Sequence, residues 1–163
     1  MASAESLPDE LTACADEVRI QFPWGSLLEA VLKGDPAVLA GIARLLRPNG
    51  RLRVILSVVE RDRIQGTAAL DGQGAADVVA RIAETNVGLV AEPAQEATQA
   101  DIAASHSTWA KRLGAGRSRP AWLMQFRRLG RPEEQVKERA GPAISPNGGV
   151  VIPRTVAGQP PSG

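Results

Sequence analysis

Glu17-Val18-Arg19-Ile20-Gln21-Phe22-Pro23-Trp24-Gly25-Ser26-Leu27-Leu28 contains a strand, its end and the start of a helix. Val18, Ile20 and Phe22 alternate with polar residues, the two-residue period of a half-buried strand, and Pro23 stops it because proline has no N–H for a ladder. Trp24, Gly25 and Ser26 form the turn, after which Leu27, Leu28, Val31 and Leu32 fall on one helical face. A strand that feeds directly into a helix is the repeating unit of α/β sheets. Ligands of such sheets sit outside the carboxyl ends of the strands, so an indole at this position is placed to stack on one.

Downstream, Lys33-Gly34 ends the first helix and Asp35-Pro36 starts a second, with Asp as N-cap and Pro at the first helical position. Its buried stripe is Val38, Leu39, Ile42, Leu45 and Leu46. Arg47-Pro48-Asn49-Gly50 reads as a turn, and Arg51 to Val59 as an apolar, β-branched strand interior to a covered sheet. A polar connection from Glu60 to Gly74 leads to a helix over Ala75 to Asn86 and a short strand over Gly88 to Ala91. Thr98 with Asp101 three residues on predicts a capping box for one helix reaching Leu113, closed by Gly114 and Gly116. Ala121 to Arg128 is the last strand. Ala4 to Cys14, ahead of the opening stretch, reads as a loop or short turn.

About four strands alternating with helices predict a parallel-type sheet with crossover connections. No Gly-x-Gly-x-x-Gly follows a strand, so the expected fold is the C-terminal half of a doubly wound sheet, without its first strands and glycine-rich loop. From Gly130 onward Pro, Gly and charge dominate without an apolar period, which predicts a domain over 1–129 and a disordered tail over 130–163.

With 163 residues, 44% hydrophobic and 23% charged, the chain has the composition of a soluble globular domain. No uninterrupted apolar run suits a membrane helix and the N-terminus has no signal-peptide pattern, so the expected compartment is the cytoplasm. One cysteine, Cys14, and one histidine, His106, supply neither a disulfide nor a zinc ligand set, and no metal is expected. The net charge of +1 hides a segregation: Lys111, Arg112, Arg117, Arg119, Arg127, Arg128 and Arg131 fall within 21 residues that hold no acid, whereas Ser3 to Glu17 is acidic. Such clustering is the electrostatic footprint of a phosphate-bearing partner, although a charge run is also what a solvated face looks like.

Two tryptophan segments point to a family. Phe22-Pro23-Trp24-Gly25-Ser26-Leu27-Leu28 and Ser107-Thr108-Trp109-Ala110-Lys111-Arg112-Leu113, the second followed by Arg117 and Arg119, resemble the aminoglycoside-resistance methyltransferases that modify adenine-1408 of 16S rRNA at N1. Ala4-Glu5-Ser6-Leu7-Pro8 resembles that family's segment on the adenine side of the cofactor, and the resemblance runs from Ser3 to Arg128. It implies a partial Rossmann-like class I methyltransferase fold, S-adenosylmethionine as cofactor, and 16S rRNA in the 30S subunit as partner. It implies Trp24 and Trp109 as the pair that sandwiches a flipped-out adenine, with Pro23 in the first wall. Ser107 would face the cofactor or target pocket and Glu5 would lie beside the cofactor adenine. Arg112, Arg117 and Arg119 would grip rRNA phosphates. Members of the family carry a first strand, a glycine-rich loop and an acidic residue ahead of the region matched here, and this sequence is expected to start after them.

The chemistry is compatible with these residue types. An extruded base needs faces to stack on, worth roughly 1–3 kcal/mol per base, and adenine N1 has a lone pair that can attack a sulfonium methyl when merely held in place. No catalytic His or Cys is required. Two other readings stay open on the residues alone: a non-catalytic RNA-binding protein, and part of a class I methyltransferase with a small-molecule substrate. Trp122, inside the last strand, reads as packing, His106 as structural or surface, Cys14 as an inert small residue, and Ser26 as either a ligand group or a helix cap.

Overall fold

The structure, a computed structural model, describes residues 7–62, 64, 68–116 and 119–130, without the side chains of Trp109 and Leu113. The expected tail falls, from residue 131, outside the described residues. Alternating apolar residues build β1 (Ala15–Gln21), from which the chain enters α1 (Gly25–Lys33), closed by Gly34 in the left-handed region at φ 69°. Asp35 caps α2 (Pro36–Leu45): its Oδ1 accepts the amides of Ala37 at 2.9 Å and Val38 at 3.1 Å. The chain then passes into β2 (Leu46–Leu56), α3 (Gly72–Glu84), and the short strands β3 (Leu89–Ala91) and β4 (Gln95–Glu96). Two six-residue helices, α4 (Gln99–Ala104) and α5 (Thr108–Leu113), precede β5 (Trp122–Arg128).

The sheet runs β1-β2-β5-β3, with β4 also on β5. β1 and β2 are parallel, as a helical crossover requires, and β5 is antiparallel to β2, β3 and β4. Five strands are present among the described residues against about four expected; the addition is β4, whose two residues are too few to show a period. On one face Ile20, Leu52, Val54, Leu56, Met124 and Phe126 meet the apolar stripes of α1, α2 and α3 in the main core. The alternate residues Ile55 and Leu123 form a second, smaller cluster on the other face with Ala110 of α5, Ala97, Ala115 and Ala121, joined by Phe22, which shares Ile20's strand period but follows β1 at φ 49° and leaves its face. No described helix is long and apolar enough to cross a membrane.

Two elements differ from the sequence reading. Arg47-Pro48-Asn49-Gly50, expected as a turn, lies inside β2 as a bulge: Ala15 pairs with Leu46, yet Glu17 already pairs with Arg51. Asn49 takes φ 62°, and a Cβ on Gly50 would sit 2.8 Å from the Arg47 carbonyl, so turn chemistry is used to widen a strand rather than to end one. The single helix expected from Thr98 to Leu113 is two. The capping box at Thr98 and Asp101 is present, but His106 takes φ 49° and Ser107 caps a new helix by accepting the Ala110 amide at 3.1 Å. Trp122 packs against the core and donates Nε1–H to the Leu70 carbonyl at 2.9 Å, as the packing reading expects.

Candidate nucleic-acid interface

The end of β1 is bent rather than merely stopped. Phe22 adopts φ 49°, uncommon for a bulky side chain, while its amide still donates to the Ile55 carbonyl at 2.7 Å and its ring is buried. This kink sends Pro23 inward, where it is buried, and Trp24 outward, where it is 52% exposed at the N-cap position of α1. Gly25 follows at φ 58° with open space where a side chain would be, so the chain turns beneath the indole without obstruction. Ser26 is an exposed helical residue and not the N-cap of α1, a position taken by Trp24 without a side-chain capping bond.

Behind this ledge lies an ion-pair network. Arg119, 3% exposed, donates Nε–H to Ser57 Oγ and Nη2–H to the Ser57 carbonyl, each at 2.9 Å, and also to Asp62 Oδ2. Asp62 Oδ2 also accepts the Val59 amide at 2.9 Å, and the Ser57 hydroxyl donates to the Pro120 carbonyl. The segment after β2 and the segment before β5 are thereby tied together beneath Phe22, Pro23 and Trp24, around a space of about 10 Å³, room for a single water.

Arg119, expected to grip an rRNA phosphate, is buried here with its guanidinium engaged by Ser57 and Asp62. Arg112 does face solvent, in the last turn of α5 beside Lys111. Arg117 and Glu5 lie outside the described residues. Trp109 is on α5, and α5 and the Phe22 turn that projects Trp24 meet in the same small cluster through Ala110 and Phe22. The two tryptophan-bearing elements are therefore neighbours. Ser107 Oγ is engaged in its cap, and Ser107 lines, with His106, Lys111 and Ile102, a cleft of about 470 Å³ between α4 and α5.

Asp62 and Ser57, which position Arg119, escaped the sequence reading. Asp62 lies in the charged run Glu60-Arg61-Asp62-Arg63, where nothing distinguishes a buried carboxylate from a solvated one. Its partner is 57 residues away.

Set against known proteins, residues 1–127 match the family model described as NpmA, 16S rRNA (adenine(1408)-N(1))-methyltransferase. The chain belongs to this family. It is 30% identical over 124 residues to the 16S rRNA (adenine(1408)-N(1))-methyltransferase of Escherichia coli, covering 73% of this chain and 57% of that relative. Over 57 residues, 35% of this chain and 26% of the relative, it is 40% identical to the enzyme of the same description from Streptoalloteichus hindustanus. Among solved structures, the 16S rRNA methyltransferase KamB superposes with a TM-score of 0.65 at 25% identity, covering 79% of this chain and 61% of that one. A variant of the Catenulisporales acidiphilia enzyme, solved with its cosubstrate SAM, matches in fold with a TM-score of 0.66 at 23% identity, covering 80% of this chain and 61% of that one. The fold is thus a partial Rossmann-like class I methyltransferase fold, and the matched part of the chain spans 57% of the E. coli relative's length.

Proposed function

We propose that this chain forms the target-base side of a methyltransferase that uses S-adenosylmethionine and acts on N1 of adenine 1408 of 16S rRNA, on the 30S subunit in the cytoplasm, the modification that confers aminoglycoside resistance in its relatives. The observation that carries this reading is the indole of Trp24, half out of the protein at the carboxyl end of a parallel strand and adjacent to the helix bearing Trp109. A base lifted from its stack gains a flat apolar face there, with Pro23 beneath and Arg112 and Lys111 near enough along the chain to meet the adjoining backbone. Holding the adenine so that its N1 lone pair points at the methyl donor is the work these residues can do.

The methyl donor is a separate matter. S-adenosylmethionine supplies an electrophilic methyl group when bound. Among the described residues, Phe22, Pro23 and Trp24 fit one flank of such a group, while the enclosed space beside them admits one water and the nearby Asp62 carboxylate is already taken by Arg119 and the Val59 amide. These residues supply one flank of a cofactor site, and a second reading is RNA binding without transfer.

The test measures binding of the chain to 30S subunits together with transfer of labelled methyl, scored by a primer-extension stop at 1408. Trp24→Ala is expected to weaken 30S binding by roughly 5–150-fold, the equivalent of one lost stacking contact, with Trp24→Phe in between. Unchanged binding by Trp24→Ala overturns the base-holding role, and binding without transfer selects the second reading.

A further inference from the structure

The sheet has two faces, and only one is filled by α1, α2 and α3. On the other, the register places Glu17, Arg51 and Arg127 side by side across β1, β2 and β5, and Arg19, Arg53 and Gln125 in the next row toward the carboxyl end of β1. Neighbouring strands are about 4.8 Å apart and same-face residues along a strand about 6.6 Å, so four arginines are rooted side by side on one face of the sheet. Their internal partners are two. Glu17 accepts from Arg19 Nε at 2.8 Å, and Asp101 of α4 accepts from Arg53 Nη2 at 2.9 Å.

Arg51 and Arg127, both exposed and directly opposite each other, have no ion pair among the described residues. Like charges facing each other across an antiparallel pair disfavour the sheet, and an external anion reverses the sign of that interaction. Toward the carboxyl end of β1 the same face passes Gln21 and Ile55, which line a small pocket with Arg19, Arg53 and, from α4, Asp101 and Ala104.

We infer that Arg19, Arg51, Arg53 and Arg127 form a second contact surface for the RNA phosphate backbone, on the sheet face away from α1–α3. The inference rests on the RNA-binding reading above. It adds a second group of phosphate contacts to that reading, and it assigns the free positive charge to Arg127, within the segment 111–131 where the sequence concentrates it, and to Arg51, outside that segment.

The experiment compares the wild-type chain, the double variant Arg51→Gln/Arg127→Gln and the single variant Arg112→Ala in binding to 30S subunits across a salt series. Each lost phosphate contact lowers the slope of log K against log salt by about 0.7–0.9, so the double variant should be shallower by about 1.4–1.8. Between 50 and 200 mM salt its affinity should therefore fall roughly tenfold less than wild type's. Its melting temperature should hold or rise, since a repulsive pair is gone, and Arg51→Lys/Arg127→Lys should restore the slope. An unchanged slope in the double variant while Arg112→Ala still weakens binding overturns the inference alone and leaves the patch to an acidic polypeptide. Absence of any 30S binding by the wild-type chain overturns the RNA-binding reading, and this inference with it.

Discussion

Replacing Arg119 with alanine separates an internal brace from an external phosphate clamp. The guanidinium is 2% exposed in its side chain and its Asp62 partner 9%, so solvent screening gives no reason to discount the pair. Arg119→Ala removes the donors to Ser57 Oγ, the Ser57 carbonyl and Asp62 together, and leaves Asp62 charged and buried with only the Val59 amide. Breaking a buried pair from one side costs about 3–5 kcal/mol, most of it the orphaned charge. With a urea slope of about 2 kcal/mol/M, the unfolding midpoint should fall by roughly 1.5–2.5 M. Asp62→Ala should cost a comparable amount, and the double Arg119→Ala/Asp62→Ala well under the sum, because the second removal has no charge left to strand. Arg119→Lys should fall short of wild type, since one ammonium cannot reproduce the fork that reaches both residues. Arg112→Ala, on the exposed turn of α5, should stay within about 0.5 kcal/mol in stability. If Arg119→Ala matches Arg112→Ala in stability and loses 30S binding instead, the brace is refuted and Arg119 is an RNA-facing residue after all.

Two further outcomes follow from local geometry. The Thr98 hydroxyl and amide, with help from Arg53, hold Asp101 below the usual carboxylate range against an upward push from partial burial. A depressed folded-state value means that the stabilisation is present above the ordinary value of 3.8 and is lost as pH falls through the lowered one. The stability difference between wild type and Asp101→Asn in urea melts should therefore be constant near neutrality and shrink below pH 3.8; a difference that grows on acidification contradicts it. Gly50→Ala would place a methyl 2.8 Å from the Arg47 carbonyl and 3.2 Å from that of Asp16, both backbone atoms that cannot swing away. It should cost about 1–3 kcal/mol in a thermal melt; a neutral result would show that the bulge relaxes.

Local chemistry legible in the chain was reproduced where a residue's partner is near in sequence. Asp35 over Pro36, Thr98 with Asp101, and Gly34 at the end of α1 all form the caps and stop that their order implies, because those hydrogen bonds span only a few residues. The strand-to-helix passage from Glu17 to Leu28 likewise contained the α/β class and the outward tryptophan, since alternation and a following proline are backbone constraints. Ser107, expected to face a pocket, lines the cleft between α4 and α5 and also caps α5, a role its position one residue after a left-handed His106 decides. That conformation does not follow from the Ser-His-Ser sequence.

The charge pattern divides along the same line. The sequence by itself determined that residues 111–131 are basic and free of acids, and that the chain resembles its family over two tryptophan segments in order. Only the folded chain decided which of those cations face outward. Arg119 is drawn inside by an aspartate 57 residues away, while Arg51, unremarkable within an apolar strand, becomes part of an exposed patch because antiparallel register sets Arg127 opposite it. Burial of a charge and adjacency across strands are properties of long-range pairing, and no count along the chain contains them.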